Sequence, residues 1–129
     1  MSIPAAYQRY EDALATGDMA GLAAALHPSA VWHQPGTNPL SGDHVGPDAI
    51  LALLGGFMER SQGSFALRTE SRMVNGDTVA TAVSFSAQRP GRTDLTMGGI
   101  DIFRIADDRV AEIWLFSADQ DAEDAFWQD

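Results

Sequence analysis

Apolar residues recur at helical intervals along the first quarter of the chain. Tyr7, Tyr10 and Leu14 share one stripe that stops at Gly17-Asp18, and Met19, Leu22, Ala23 and Leu26 form a second that stops at His27-Pro28. Asp18 has the short acceptor side chain that caps a helix start, so two helices meeting at this point are expected. Residues 30–34 contain Val31 and Trp32 and end at Pro35-Gly36, which reads as a strand running into a loop that continues to about Gly46. Pro47 and Asp48 suit the first turn of a helix whose face carries Ile50, Leu54, Phe57 and Met58, with Gly55-Gly56 marking a close backbone approach.

The second half changes period. Residues 64–74, 78–88, 93–105 and 110–117 read as strands, divided by Asn75-Gly76-Asp77, Arg89-Pro90-Gly91 and Asp107-Asp108. Helices followed by consecutive strands predict an α+β fold: a cone-shaped, curved antiparallel sheet covered by the N-terminal and central helices, leaving a cavity beneath them. The chain of 129 residues, 45% hydrophobic, suits one domain spanning 1–129, with no internal repeat or linker.

Composition narrows the chemistry. Without cysteine there is no disulfide, thiolate metal site or cysteine nucleophile. Eight basic residues, all arginine, against eighteen acidic ones give a net charge of −10, a surface that repels phosphate backbones and anionic membranes, so neither nucleic acid nor membrane is an expected partner. The first residues show no signal core, and a cytoplasmic location is expected. Gly55-Gly56 and Gly98-Gly99 lack a strand-to-helix phosphate loop, and no serine stands in a Gly-x-Ser-x-Gly turn.

Asp101 is the most informative polar residue. Leu95, Met97, Phe103 and Ile105 share its phase while Ile100 and Ile102 flank it, so its carboxyl lies among apolar groups on either face. An acid buried there has a raised pKa and can donate a hydrogen bond to a developing oxyanion; alternatively it faces outward, paired with Arg104 or Arg72. Tyr10 is a core aromatic by default, and its phenol is a second donor if it reaches Asp101. Alternation puts Trp32 with Gln34 on one face and Val31 with His33 on the other. Gln34 can orient a substrate but is no base near neutral pH, whereas His33 titrates in the right range or is structural. His27 suits a helix end, where it meets the dipole. His44, beside Asp43, either overhangs a pocket or is a solvated loop residue. The three histidines lack the close spacing of a zinc site, so no metal is expected. The acidic run from Asp119 to Asp124 reads as a helix start anchored by Phe126 and Trp127, with Asp119 at the pocket rim.

At these positions the chain resembles the SnoaL-like branch of the nuclear-transport-factor-2-like superfamily, which includes polyketide cyclases, ketosteroid isomerases, limonene epoxide hydrolases and scytalone dehydratases. The resemblance rests on Gly17-Asp18, Leu26-His27-Pro28, Trp32-His33-Gln34-Pro35-Gly36, Pro39-Leu40-Ser41-Gly42, Gly46 and Arg109-Val110-Ala111-Glu112-Ile113-Trp114, and spans nearly the whole sequence. It implies that Tyr10 is similar to the isomerases' oxyanion-hole tyrosine and Asp101 to their protonated acid, while Gln34 stands where their aspartate base would be. For a cyclase or isomerase acting without cofactor on a small hydrophobic carbonyl compound, Asp101 and Tyr10 would polarise the carbonyl and Gln34 would orient it. His33 or Asp119 would be the base, and Trp32, His44, Phe57, Met97, Phe103, Trp114 and Phe116 would line the pocket. The resemblance also implies a homodimer formed through the sheet. The alternatives are a non-catalytic small-molecule-binding or protein-interaction domain, the latter using the sheet face or the Trp127 end, and an epoxide hydrolase drawing on Arg68, Arg72 or Arg104, or a dehydratase.

Overall fold

The computed structural model describes residues 2–129. Helices α1 (Ala5–Thr16) and α2 (Met19–Ala25) lead into strands β1 (Leu26–Gln34) and β2 (Gly42–Val45). Helix α3 (Pro47–Arg60) precedes the meander of β3 (Ala66–Asn75), β4 (Thr78–Ala87), β5 (Leu95–Ala106) and β6 (Arg109–Ser117), and α4 (Gln120–Trp127) follows. The α+β expectation holds: one curved, unclosed six-stranded sheet, in the order β2-β1-β6-β5-β4-β3, lies against the helices. No helix among the described residues is long and apolar enough to cross a membrane.

Local chemistry explains most boundaries. The Asp18 side chain accepts from Gly21 N at 2.9 Å and starts α2, while Gly17 takes the left-handed conformation that ends α1 (φ 70°). Pro47 occupies the first turn of α3 and Asp48 follows it, favourable at a helix start. Asp107 and Asp108, both at positive φ (54° and 55°), form the two-residue turn between β5 and β6, a conformation that short polar side chains tolerate.

Three expectations are corrected. β1 begins at Leu26, directly after α2, because the proline ends the helix without ending the strand: the register with β6 shifts between Leu26 and Val31, where a residue lacking N–H is tolerated. His27 therefore meets no helix dipole. Its Nε2 lies 3.1 Å from Asp107 Oδ2, and its Nδ1 accepts from Ser29 N. The stretch expected as loop contains β2, a four-residue edge strand too short and too polar to show alternation. On α3 the inward residues are Ile50, Leu53 and Phe57; Met58 is exposed. A Cβ at Gly56 would come within 2.9 Å of Leu40 Cδ2, the close approach expected, whereas Gly55 has open space.

β1 and β6 pair in parallel, and the other neighbours pair antiparallel. On β5, Leu95, Asp101, Phe103 and Ile105 are buried under the helices, while Ile100 points outward and is exposed. At Gly99 an added Cβ would lie 2.6 Å from the Phe116 carbonyl oxygen and 3.3 Å from the Phe85 ring; at Gly98 the nearest atom is 3.5 Å away. Gly99→Ala is expected to destabilise by about 1–3 kcal/mol and Gly98→Ala by less than about 0.5 kcal/mol, measured by urea unfolding; equal effects would contradict the β5–β6 packing.

Candidate functional site

Register across the sheet places the inward side chains in rows. Trp32 pairs with Ile113, Ile113 with Phe103, Phe103 with Val79 and Val79 with Val74, giving one apolar row. One step along the strands, Leu115 pairs with Asp101, Asp101 with Thr81 and Thr81 with Arg72, and the β1 register brings Gln34 level with Leu115. This second row carries the polar groups. Two strand spacings separate Gln34 from Asp101, about 10 Å between backbones, with Leu115 of β6 between them.

Asp101 is 8% exposed, and no arginine pairs with it. Arg72 binds Glu11 of α1 instead, Arg104 binds Glu112 on the outer face and Arg68 binds Glu70, so the epoxide-hydrolase arginine has no candidate here. Burial, and then the charge of Glu123, push the Asp101 carboxyl up to about 7. Tyr10, 3% exposed, packs against Phe103 (5.4 Å between ring centroids) and Tyr7 (6.4 Å). Burial, the Asp101 charge and Tyr7 push its phenol well above its ordinary value. Among the described residues neither the Tyr10 hydroxyl nor the Asp101 carboxyl has a side-chain hydrogen-bond partner. Among the described residues the only sealed and unpartnered side-chain polar atom is Trp127 Nε1, so the oxygens of Tyr10 and Asp101 are not sealed. Both are buried oxygen groups without a side-chain partner, and the Asp101 charge reaches the Tyr10 phenol.

Glu123 on α4 completes the cluster. It is 4% exposed, and its Oε1 accepts from Ser117 Oγ at 2.7 Å and Gln120 Nε2 at 3.1 Å. Burial raises its pKa, while these donors, with the Trp127 indole nearby, favour the charged form. Asp101 has no such donors. Both acids are raised by burial, and of the two only Glu123 has side-chain donors. Sequence reasoning missed Glu123; the signal was its spacing, three and four residues before the buried Phe126 and Trp127 on the same helical face.

Gln34 is buried, and its Oε1 accepts from Trp32 Nε1 at 2.8 Å, which fixes the amide. Phe57 and Phe103 are buried on the helix side, and Met97 shares their side of the sheet. His44 pairs with Trp32 and its Nε2 contacts the Leu40 carbonyl at 2.9 Å. Asp119 caps α4, accepting from Ala122 N. Three expected site residues lie on the opposite face. Because Ile113 and Leu115 point inward, Trp114 and Phe116 point outward, and Phe116 is 54% exposed. His33 stacks on Trp114 and is bracketed by Asp43 (2.7 Å) and Glu112 (2.6 Å), remote from Asp101. Among the described residues no three His, Asp or Glu side chains form a metal-ligand set.

Two open clefts, of about 530 and 420 Å³, mark the surface. The larger is lined by Leu40, Gly56, Glu59, Arg60, Gln62 and Arg89; the smaller lies between α4 and the start of β5, along Leu95, Met97, Asp119 and Phe126. Neither is lined by Tyr10, Gln34 or Asp101, which lie buried beneath the helices.

The SnoaL-like domain profile matches residues 7–113. An uncharacterized protein of Mycobacterium tuberculosis is 29% identical over 116 residues, covering 89% of this chain and 88% of the relative. A Xanthomonas campestris protein of unknown function with a cystatin-like fold superposes with a TM-score of 0.87 at 42% identity, covering 96% of each chain. A candidate polyketide cyclase of Sinorhizobium meliloti shares the fold at a TM-score of 0.68 and 24% identity, over 88% of this chain and 94% of its own.

Two pH dependences follow. Asp101 binds its proton more tightly folded than unfolded, so its burial costs nothing below the ordinary value of 3.8, costs more as pH rises towards 7 and costs fully above that. The stability of Asp101→Asn relative to the natural protein is expected to rise by roughly 2–4 kcal/mol from pH 4 to pH 8 in urea unfolding; a constant difference would show that Asp101 is ionised throughout. His33 runs the other way. The Glu112 hydrogen bond above all raises its pKa from 6.5, so its contribution is full below 6.5 and is lost as pH rises through the folded value. His33→Gln should lower the melting temperature more at pH 6 than at pH 8.5.

Proposed function

The chain belongs to the SnoaL-like domain family, and on that premise we propose that it is a cofactor-independent enzyme acting on a small hydrophobic carbonyl compound, of the cyclase or isomerase type. The observation that carries the reading is the pair of buried oxygen groups, the Tyr10 hydroxyl and the Asp101 carboxyl, without side-chain partners, close enough for the Asp101 charge to raise the phenol, and with Asp101 raised to about 7. A phenol and a neutral carboxylic acid donate to an oxygen as it gains charge, in surroundings of low dielectric that strengthen both bonds. The polyketide-cyclase description of a fold neighbour supports the cyclase side.

In the proposed step the Glu123 carboxylate removes a proton from the carbon beside the carbonyl. The C–H bond breaks, its electron pair forms a carbon–carbon double bond, and the carbonyl π pair moves onto oxygen, where Tyr10 and Asp101 hold it. An isomerase returns the proton at another carbon. A cyclase joins the nucleophilic carbon to a second carbonyl of the same molecule, and the new alkoxide takes up the proton. Trp32, Phe57 and Phe103 supply apolar wall, and the Gln34 amide, fixed by Trp32, orients the polar end.

A second reading, a non-catalytic binding module, is favoured by Gln34 itself: its carbonyl is committed to Trp32, and no base stands at that position. Two measurements separate the readings. Binding of planar phenols, followed by absorbance across pH, is expected to weaken about tenfold or more in Tyr10→Phe and Asp101→Asn. Deuterium uptake next to the carbonyl of 2-tetralone is expected to fall about a hundredfold or more in Asp101→Asn and in Glu123→Gln. Phenol binding without deuterium uptake would establish the binding module, and phenol binding indifferent to both substitutions would sink the oxyanion site.

A further inference from the structure

Three of the eight arginines gather at the end of α4 in a chain of net charge −10. Arg89 Nη1 donates to the Phe126 and Gln128 carbonyls (2.6 and 2.9 Å), Arg92 Nη1 to Ala125 and Phe126 (2.9 and 3.1 Å), and Arg60 Nη1 reaches Trp127 O at 3.4 Å. Capping the last carbonyls of a helix accounts for one nitrogen of each guanidinium. Among the described residues, Nε and Nη2 of Arg60 and Arg89 have no partner. Both side chains line the larger cleft, about 530 Å³, whose other lining residues include Leu40, Gly56 and Glu59.

The chain contains an internal probe of this place. The Asp129 carboxylate, 80% exposed, sits on Arg60 Nη1 at 2.6 Å, and its pKa is lowered by Arg60 first and then by Arg89 and Arg92. An exposed carboxylate thus feels all three cations. Burial, and then Arg92 and Arg60, push the Arg89 guanidinium down, partly offset by Asp129, so the three cations lie close enough to act on one another.

We infer that the cleft between the end of α3 and the β4–β5 loop binds a small monocarboxylate carrying an apolar group, with Arg60 and Arg89 as its cationic ligands and the Asp129 side chain as an internal competitor. The planar guanidinium fork matches a carboxylate. The Leu40 side chain, packed on Gly56, gives the cleft its apolar lining. Glu59, exposed on the rim, repels a second carboxylate, so the site discriminates against dicarboxylates.

Benzoate is the probe, with acetate and succinate for comparison, followed at low salt through the arginine Nε–H signals by NMR. Saturable shifts of Arg60 and Arg89 are expected with benzoate, weaker with acetate and succinate. Binding should tighten several-fold in Asp129→Asn, which removes the competitor, and weaken about tenfold or more in Arg60→Gln and in Arg89→Gln, with circular dichroism confirming the fold. Tyr10→Phe should leave benzoate binding unchanged, which separates this site from the Tyr10–Asp101 pair beneath the helices. The absence of saturable shifts even in Asp129→Asn, or binding indifferent to both arginine substitutions, would overturn the inference.

Discussion

A carboxyl group removed from water without a cation or a donor must be supported by everything around it. Asp101 sits on β5, which is hydrogen-bonded on both edges by β4 and β6, so the backbone beneath it is fully engaged and cannot yield. Helices cover it, Phe103 and Tyr10 pack beside it, and Glu123 adds negative charge from α4. Each neighbour makes ionisation harder. The fold tolerates this because a neutral carboxylic acid costs far less to bury than a carboxylate, and the buried Glu123 has Ser117 and Gln120 as donors.

The two faces of the sheet handle charge in opposite ways. On the outer face Arg104, Glu112, His33 and Asp43 form a chain of ion pairs across β5, β6, β1 and β2, with Trp114 stacked on the imidazole. At the sheet margin Arg72 grips Glu11, which also accepts from Tyr7. Arg9, Arg60 and Arg68 pair with acids elsewhere. No arginine among the described residues pairs with Asp101, which is left uncompensated. That arrangement sacrifices stability at neutral pH.

Period and punctuation carried the helices and the four-strand meander in the sequence, and the bounds found lie within about two residues of those expected, as strongly patterned segments allow. Alternation also separated Trp32 and Gln34 from His33. It says only which residues share a face, however, not which face is inward. On β6 both sets are apolar, so the pattern does not tell Trp114 and Phe116, which point outward, from Ile113 and Leu115, which point inward. Glu123 was hidden differently. Acids at a helix start are explained by the dipole alone, and only tertiary packing shows that this one turns inward. The parallel pairing of β1 with β6 left no local trace.

That pairing ties Trp32 to Ile113, roughly eighty residues away in sequence, whereas each contact within the meander is between neighbours along the chain. Loop-closure entropy therefore lets β3 to β6 assemble first and admits β1, with the small β2 at its edge, last. The order of assembly is also the order of fragility: amides in β1 and β2 should be the first in the sheet to exchange with solvent, through partial openings that leave the meander intact. Gln34 and Trp32 ride on the part of the sheet that opens most readily, while Asp101 stays on the part that opens only when the whole protein unfolds. The inner face of the sheet thus has one side built to last and one that breathes.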